Sequence, residues 1–337
     1  MRLPEPRGPV SEHLVEVLRR EPGTVPIPGT TRQPAPSAVH DEDLQLSLFL
    51  CYELHYRGFD EVDDAWEWQP ELLGLRAGLE RAFEVDLRDR VRVRPVAPDD
   101  VPTALGDLTS TDHGPSLPRH LQRKGTLGQF REFVLHRSIY HRKEADPHTW
   151  GIPRLAGRPK AALVEIQADE YGGGQPERMH AEIFRHTMQA LGLDDGYGRY
   201  VDAVPAVTLA TSNVISLFGL RRRWRGALAG HLAAIEMTSS QPNRRYGAGL
   251  RRLGGDELAT WFFDEHVVAD AVHEQIAAHD LCGTLARAEP DLAADIVFGA
   301  ACALDLDAEL ATHLLAAWDR GESSLRRPFG WSSGQAS

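Results

Sequence analysis

The sequence predicts an all-α protein, and three observations indicate this class. After Thr126, apolar residues recur at intervals of three and four residues almost without interruption, which is the period of an α-helix. Strand-like alternation is nearly absent, and 204–214 is the only stretch rich in β-branched residues. No repeat of fixed period appears along the chain.

The composition is that of a soluble globular protein and restricts the classes of partner. The chain has 337 residues, 42% apolar and 26% charged, enough for one large domain or two smaller ones. A net charge of -12 argues against nucleic acid and anionic membranes as partners. No signal-peptide core and no apolar run of about 20 residues is present, so we expect a cytoplasmic location.

Cysteine usage agrees with that location. Cys51, Cys282 and Cys302 are odd in number and lack a CxxC spacing, which argues against a disulfide framework or a zinc ribbon. We expect them to be thiols in the protein core.

The N-terminal part predicts an arm followed by a helical layer. Residues 1–40 are rich in proline and are expected to be extended. Within 41–125, one helix begins at Asp41 as N-cap and ends near Gly58, and a second covers 70–83. Residues 95–125 show no period and predict a long connecting loop, either a binding segment or a solvated linker.

The remaining chain predicts a helical domain over 126–320 and a flexible C-terminal tail over 321–337. Breaks at proline and glycine separate its helices. The predicted helices are 127–144, 160–171, 177–191, 196–217, 226–238, 257–279, 290–304 and 308–318.

The stretch from Phe262 to His273 carries the strongest functional signal. His266, Asp270 and His273 are four and seven residues apart, so they project from one side of a helix. That helix is apolar nearly all round and is therefore expected to be buried. Buried ionisable groups need partners. A metal ion is one candidate partner, and a core histidine pair bonded to backbone carbonyls, with Asp270 orienting it, is the alternative.

Two further positions carry weaker signals. Glu236 lies in a nearly neutral helical run, and His180 shares a face with apolar side chains. Three glycines and Pro176 separate Glu170 from His180, and on one straight helix these two would lie on different sides. If both serve one site, the chain must break or turn at 172–176; otherwise this segment is a simple loop between helices.

These residues together resemble a known family. Glu144, then Glu170-x9-His180, then Glu236, then His266-x3-Asp270-x2-His273 resembles the haem-oxygenase-like di-iron oxidases and oxygenases. The runs 137–141 and 144–148, with 169–172, look more closely like the bacterial iron-containing redox enzymes of that group. The likeness covers about 126–320 and implies a haem-oxygenase-like helical bundle, with the N-terminal helical layer as an addition.

The resemblance also implies a metal centre and a reaction class. It implies a non-haem di-iron enzyme that activates O2 through a peroxo-di-iron intermediate and oxidises a small amine, amino-acid or acyl metabolite. A small-molecule substrate is the expected partner, and an external reductant or electron donor and a homodimer are compatible with the sequence. The ligands of the two irons implied by the resemblance are Glu144, Glu170, His180, Glu236, His266, Asp270 and His273.

Two alternatives stay open at this point. In a ferritin-like scheme, Glu177-x2-His180 and Asp270-x2-His273 would supply ligands, but Glu170 and His266 would then be unused, so we favour Glu170. In the other alternative, the same scaffold is a metal-free binding or hydrolytic module, in which the acids and histidines surround an organic ligand.

Overall fold

The computed structural model describes residues 1–24, 37–111 and 114–327, with the side chains of 268–272 outside the description. The all-α prediction is confirmed, because these residues form helices and turns and no β-strand. The α-helices are α1 (Pro9–Leu18), α2 (Glu42–Glu53), α3 (Pro70–Arg90), α4 (Val101–Ser110), α5 (Leu117–Arg123), α6 (Leu127–His141), α7 (Asp146–Thr149), α8 (Gly157–Glu170), α9 (His180–Ala190), α10 (Ala206–Leu220), α11 (Arg225–Thr238), α12 (Ser240–Arg252), α13 (Glu257–Gln275), α14 (Thr284–Ala288) and α15 (Ala293–Asp319).

Short 3-10 turns and one π-helical segment connect these helices. The π-helical segment, Ile276–Gly283, directly continues α13. The 3-10 turns are Asp64–Trp68, Pro98–Asp100, Ile152–Arg154, Gly172–Gly174, Pro176–Arg178, Arg222–Trp224 and Pro290–Leu292. None of the described helices is both long and apolar enough to cross a lipid bilayer.

Side-chain caps fix several helix starts. The Asp41 carboxylate accepts hydrogen bonds from the backbone of Asp43 and Leu44, as expected of an N-cap. Thr126 and Gln129 form a reciprocal capping box at the start of α6. These caps satisfy backbone N–H groups that have no partner within the helix.

The N-terminal part is more ordered than the sequence predicted. Pro9–Leu18 forms α1 within the arm that was expected to be extended, and its backbone N–H groups at Val10 and Ser11 donate to Asp43 of α2. The expected long loop over 95–125 contains α4 and α5, because each buries an apolar face against the rest of the fold. Residues 25–36 of the arm lie outside the described residues.

Several C-terminal boundaries also differ from the prediction. The helix expected over 127–144 ends at His141, and the helix expected from 196 begins only after Pro205. The two helices expected over 290–304 and 308–318 are one continuous helix, α15. Of the tail expected over 321–337, residues 321–327 pack on the bundle, since Ser324 is buried and bonds Glu132, and residues 328–337 lie outside the described residues.

The buried side chains form two apolar cores. The larger core joins the N-terminal layer to the bundle, so the layer is continuous with the domain it covers. The smaller core lies between α4, α8, α11 and the π-helical segment. Cys51, Cys282 and Cys302 are buried free thiols, as predicted.

Glycines allow α11 and α15 to cross at close range. A Cβ atom on Gly230 would overlap the carbonyl oxygen of Ile296, and one on Gly299 would overlap the carbonyl oxygen of Ala227. Helix α15 therefore fixes the position of α11, the helix that carries Glu236.

His136 is a buried histidine in the larger core. Its Nδ1 lies 2.6 Å from Thr208 Oγ1 and its Nε2 lies 3.1 Å from Ser324 Oγ. Burial, with small contributions from His313 and Arg137, lowers the pKa of His136 from 6.5 to about 3. This imidazole is therefore neutral in the folded protein at physiological pH.

We expect the free energy of unfolding to fall as the pH drops below 6.5, partly through His136. In that range the unfolded chain takes up a proton that the folded chain excludes, which costs about 1.4 kcal/mol per pH unit for this group. Urea unfolding with a chelator present, at about pH 8, 6 and 5, should show a shallower pH dependence in His136→Gln than in wild type. The variant His186→Gln, at a partly exposed position, is the control. Parallel pH dependences for wild type and His136→Gln would contradict the prediction.

Candidate metal centre

Glu144 lies in a tight turn and not on a helix. The backbone N–H of Lys143 donates to Tyr140, and that of Asp146 donates to Lys143, so the chain turns sharply between α6 and α7. This turn directs the Glu144 side chain inward, where only 6% of the residue is exposed. The prediction that Glu144 ends a long helix is wrong, because α6 ends at His141.

The glycine segment brings Glu170 and His180 together. Helix α8 ends at Glu170, the chain turns through Gly172, Gly173 and Gly174 at φ values of 64°, 62° and 81°, and α9 begins at His180. Glycine suits these left-handed conformations because it has no Cβ. The turn places Glu170 Oε2 3.0 Å from His180 Nδ1, so the predicted break of the chain is confirmed.

Helix α13 directs two histidines into the same region. His266 Nδ1 lies 2.8 Å from the carbonyl oxygen of Phe262 and must donate to it, because a carbonyl only accepts. Its Nε2 is then free as an electron-pair donor and lies 3.9 Å from Glu144 Oε1. Asp270 belongs to this helix, but its side chain lies outside the described residues.

His273 lies between two carboxylates. Its Nδ1 is 3.2 Å from Glu236 Oε2, and its Nε2 is 2.9 Å from Asp169 Oδ2. The Asp169 side chain is 64% exposed, whereas those of His273 and Glu236 are buried. On the His273 side of the cluster, the Asp169 carboxylate is therefore the group exposed to solvent.

Several of the described ligand-type groups lie at one small cavity, which Glu144 and His266 line. One donor atom from each of Glu144, His180 and His266 lies within 4.8 Å of the others, a spacing that could hold one metal ion. Glu170 and Glu236 line the same cavity of about 10 Å³, which has room for about one water molecule. The predicted ligands whose side chains are described are all buried: Glu144, Glu170, His180, Glu236, His266 and His273.

Three donor atoms of this cluster lack a hydrogen-bond partner although they are buried. They are Glu144 Oε2, Glu170 Oε2 and His180 Nδ1. Glu170 Oε2 and His180 Nδ1 are close, yet they are not aligned for a hydrogen bond. Unsatisfied buried polar atoms are rare in proteins, and carboxylate oxygens with imidazole nitrogens are a donor set that suits iron. The residues therefore fit a metal centre.

Without a bound cation, burial and the neighbouring charges shift the pKa values of the groups in the cluster. Burial and the nearby Glu170 carboxylate raise the pKa of Glu144 to about 7. Burial lowers the pKa of His273, but its hydrogen bonds to the Glu236 and Asp169 carboxylates outweigh this and raise the pKa to about 9. Burial also opposes the charge of Glu170, yet the contact with His180 lowers the pKa of that carboxyl. Protons on the histidines thus stabilise the carboxylates, and a bound metal would replace these protons.

The structure adds residues that the sequence analysis did not identify as part of the site. His141 Nδ1 lies 2.8 Å from Glu144 Oε1, and Tyr140 and His148 line the cavity. His141 and Glu144 are three residues apart, but the chain leaves the helix between them, so helical spacing gave no reliable signal. Glu177, the alternative ligand, is exposed and Glu170 is buried, which favours Glu170.

We expect Gly172→Ala to damage the cluster more than Gly173→Ala. Both positions have positive φ, a strain of about 1–3 kcal/mol for alanine. A Cβ on Gly172 would additionally come within 2.7 Å of the backbone nitrogen of Met179, whereas a Cβ on Gly173 would meet nothing within 4 Å. Thermal unfolding and Co(II) titration should show the larger loss for Gly172→Ala. Equal losses for the two variants would contradict this role of Gly172.

Comparison with known proteins shows the family to which the chain belongs. The chain shows 26% identity over 148 residues to a nitrosourea synthase from Streptomyces achromogenes subsp. streptozoticus, which covers 44% of this chain and 31% of the relative. The aligned region is thus less than a third of the relative's length. A family model described as "iron-containing redox enzyme" matches residues 131–308, more than half of the chain, and that range includes all the predicted ligands. The chain therefore belongs to the family of iron-containing redox enzymes and has its haem-oxygenase-like all-α fold.

Proposed function

We propose that this protein is a non-haem di-iron oxidoreductase that uses O2 to oxidise a small organic metabolite. One observation carries the proposal: buried carboxylates and imidazoles from five separate parts of the chain lie in one cluster at the cavity, and three of their donor atoms have no hydrogen-bond partner. A metal-free polar network would be expected to satisfy these atoms within the protein.

The described contacts suggest how the ligands divide between two ions. Glu144, His180 and His266 are grouped closely enough to hold one ion. Glu236 and His273 contact each other and would contribute to the second. Glu170 contacts His180 and lines the same cavity as Glu236, so it is placed to serve both ions. Asp270 is assigned to the centre from the family resemblance.

Charge balance favours two divalent ions over one. The four carboxylates of the proposed set would neutralise the four positive charges of two Fe(II) ions, so the loaded centre would be close to neutral. A neutral centre can remain buried without a large desolvation cost. When bound, Fe(II) supplies the electrons for O2 reduction and acts as a Lewis acid.

The protein's own contribution is to orient ligands, to accept and release protons, and to exclude water. The carbonyl of Phe262 holds the His266 ring so that Nε2 is available as a donor. His180 and His273 must each lose a proton before binding iron, so we expect loading to be favoured at higher pH. Since the cavity has room for about one water molecule, an organic substrate must bind beside it or widen it.

The substrate class is an open part of the proposal. The relative's name denotes synthesis of a nitrosourea, so nitrogen-containing metabolites are the first compounds to test. Amines and amino acids belong to this group, and acyl compounds are the comparison group. N-oxygenation, desaturation and C–C cleavage are the reaction outcomes to distinguish. Stopped-flow absorption of the Fe(II)-loaded protein mixed with O2 should show a visible transient that forms faster with the correct substrate.

We expect anaerobic Fe(II) loading to give about two irons per chain and a protein that consumes O2. His266→Ala and Glu236→Ala should abolish O2 consumption, because each removes a buried donor from the centre. Glu177→Ala is the matched control, since this exposed carboxylate lies in the turn just before His180 and should leave O2 consumption nearly unchanged. Metal analysis and an oxygen electrode make both measurements.

Two results would overturn the proposal. Fewer than about one bound metal per chain after loading would favour a metal-free binding or hydrolytic module. A large loss of iron in Glu177→Ala would instead favour the ferritin-like assignment of the ligands.

A further inference from the structure

A buried ion pair joins the N-terminal layer to the turn that carries Glu144. Lys143 Nζ lies 2.8 Å from Glu53 Oε2, and the two side chains are 2% and 0% exposed. Tyr197 Oη donates to the other Glu53 oxygen at 2.6 Å. The Lys143 ammonium also lies 4.5 Å from the ring centroid of Tyr56. Glu53 ends α2, a helix that lies outside the region matched by the family.

An ion pair this deeply buried calls for a reason other than stability. Removing two charges from water is costly, and apolar residues of similar size are often as stabilising as a buried pair. A buried pair can instead favour one conformation over its alternatives, because breaking it leaves a buried charge unpaired. Lys143 directly precedes Glu144, so the conformation in question is that of the turn.

The other residues of the turn are held by different helices. Arg142 donates to the carbonyl oxygen of Ala181, the residue after His180 in α9. The carbonyl oxygen of Ala145 accepts from Gln167 Nε2 of α8 at 2.8 Å. Of these four residues, Glu144 and Ala145 line the cavity, and Glu144 supplies the carboxylate. The turn is therefore held by contacts to three parts of the fold, namely α8, α9 and the N-terminal layer. Glu53 provides the contact to the N-terminal layer.

We propose that Glu53 is a positioning residue of the metal centre, which holds the Glu144 carboxylate in place through Lys143. The N-terminal layer then forms part of the centre's supporting structure. The predicted effect of Glu53 on metal binding rests on the proposed function, whereas its predicted effect on the conformation of the turn does not. Groups that orient metal ligands from outside typically change metal affinity by about 10–100-fold when removed.

The test compares Glu53→Gln with Glu80→Gln in the full-length chain. Glu80 is a matched control, because it belongs to the same layer, is 4% exposed and forms a buried ion pair with Arg76 and a second ion pair with the partly exposed Arg221. No hydrogen bond or ion pair of Glu80 to the turn is found among the described residues. In metal-free protein, hydrogen exchange of the peptide spanning 138–146 should be faster in Glu53→Gln and unchanged in Glu80→Gln.

The second measurement is anaerobic titration with Co(II), followed by absorption. We expect Glu53→Gln to raise the Kd by about 10–100-fold, and Glu80→Gln to change it little. The double variant Glu53→Gln with Lys143→Met removes both charges and should fold stably, yet it should keep the weakened Co(II) binding. This variant separates loss of positioning from loss of stability.

The outcomes distinguish this inference from the proposed function. Unchanged exchange in Glu53→Gln, unchanged Co(II) affinity, or equal effects in Glu80→Gln would each overturn the positioning role. Wild-type protein that binds no Co(II) or Fe(II) would reject the proposed function, and with it a role for Glu53 in metal binding. The exchange result would then still decide whether Glu53 holds the turn.

Discussion

The confinement of several carboxylates in one small buried pocket is the constraint on which this structure depends. Glu144, Glu170 and Glu236 are buried around a cavity with room for about one water molecule. Their mutual repulsion and their loss of hydration both favour the neutral acids. His180 and His273 offset part of this cost by holding protons beside them. A bound cation would replace these protons and offset the same cost.

The irregular parts of the fold are what bring these acids together. Straight helices would leave Glu170 and His180 on different sides, and the left-handed glycines reverse the chain between them. Glu144 reaches the cavity because α6 ends before it and the chain turns. Helix α11 is held by its glycine contact with α15, so Glu236 has little freedom to move. Glu144, Glu170 and His180 thus lie at or beyond the ends of helices, whereas Glu236, His266 and His273 lie within the long helices α11 and α13.

Regular features were predictable from the sequence, and features set by distant contacts were not. The spacing of His266 and His273 predicted a shared side because α13 is a regular helix. The turn at Glu144 was missed because its determinants are partners far away in sequence, such as Glu53 and Gln167. Helices α4, α5 and α12 have loop-like or polar compositions, and packing of a narrow apolar face stabilises them. The complete ligand set, including Asp270, stays a prediction.

The way the turn is held also bears on the order in which the protein can assemble. Glu53 is 90 residues from Lys143, and Ala181 is 39 residues from Arg142. Contacts between such distant positions form late, because the intervening chain must first lose its freedom. The acids and imidazoles of the cluster are therefore brought together only as these long-range contacts form. In the proposed function, iron would then bind after folding, as the last step of the protein's maturation.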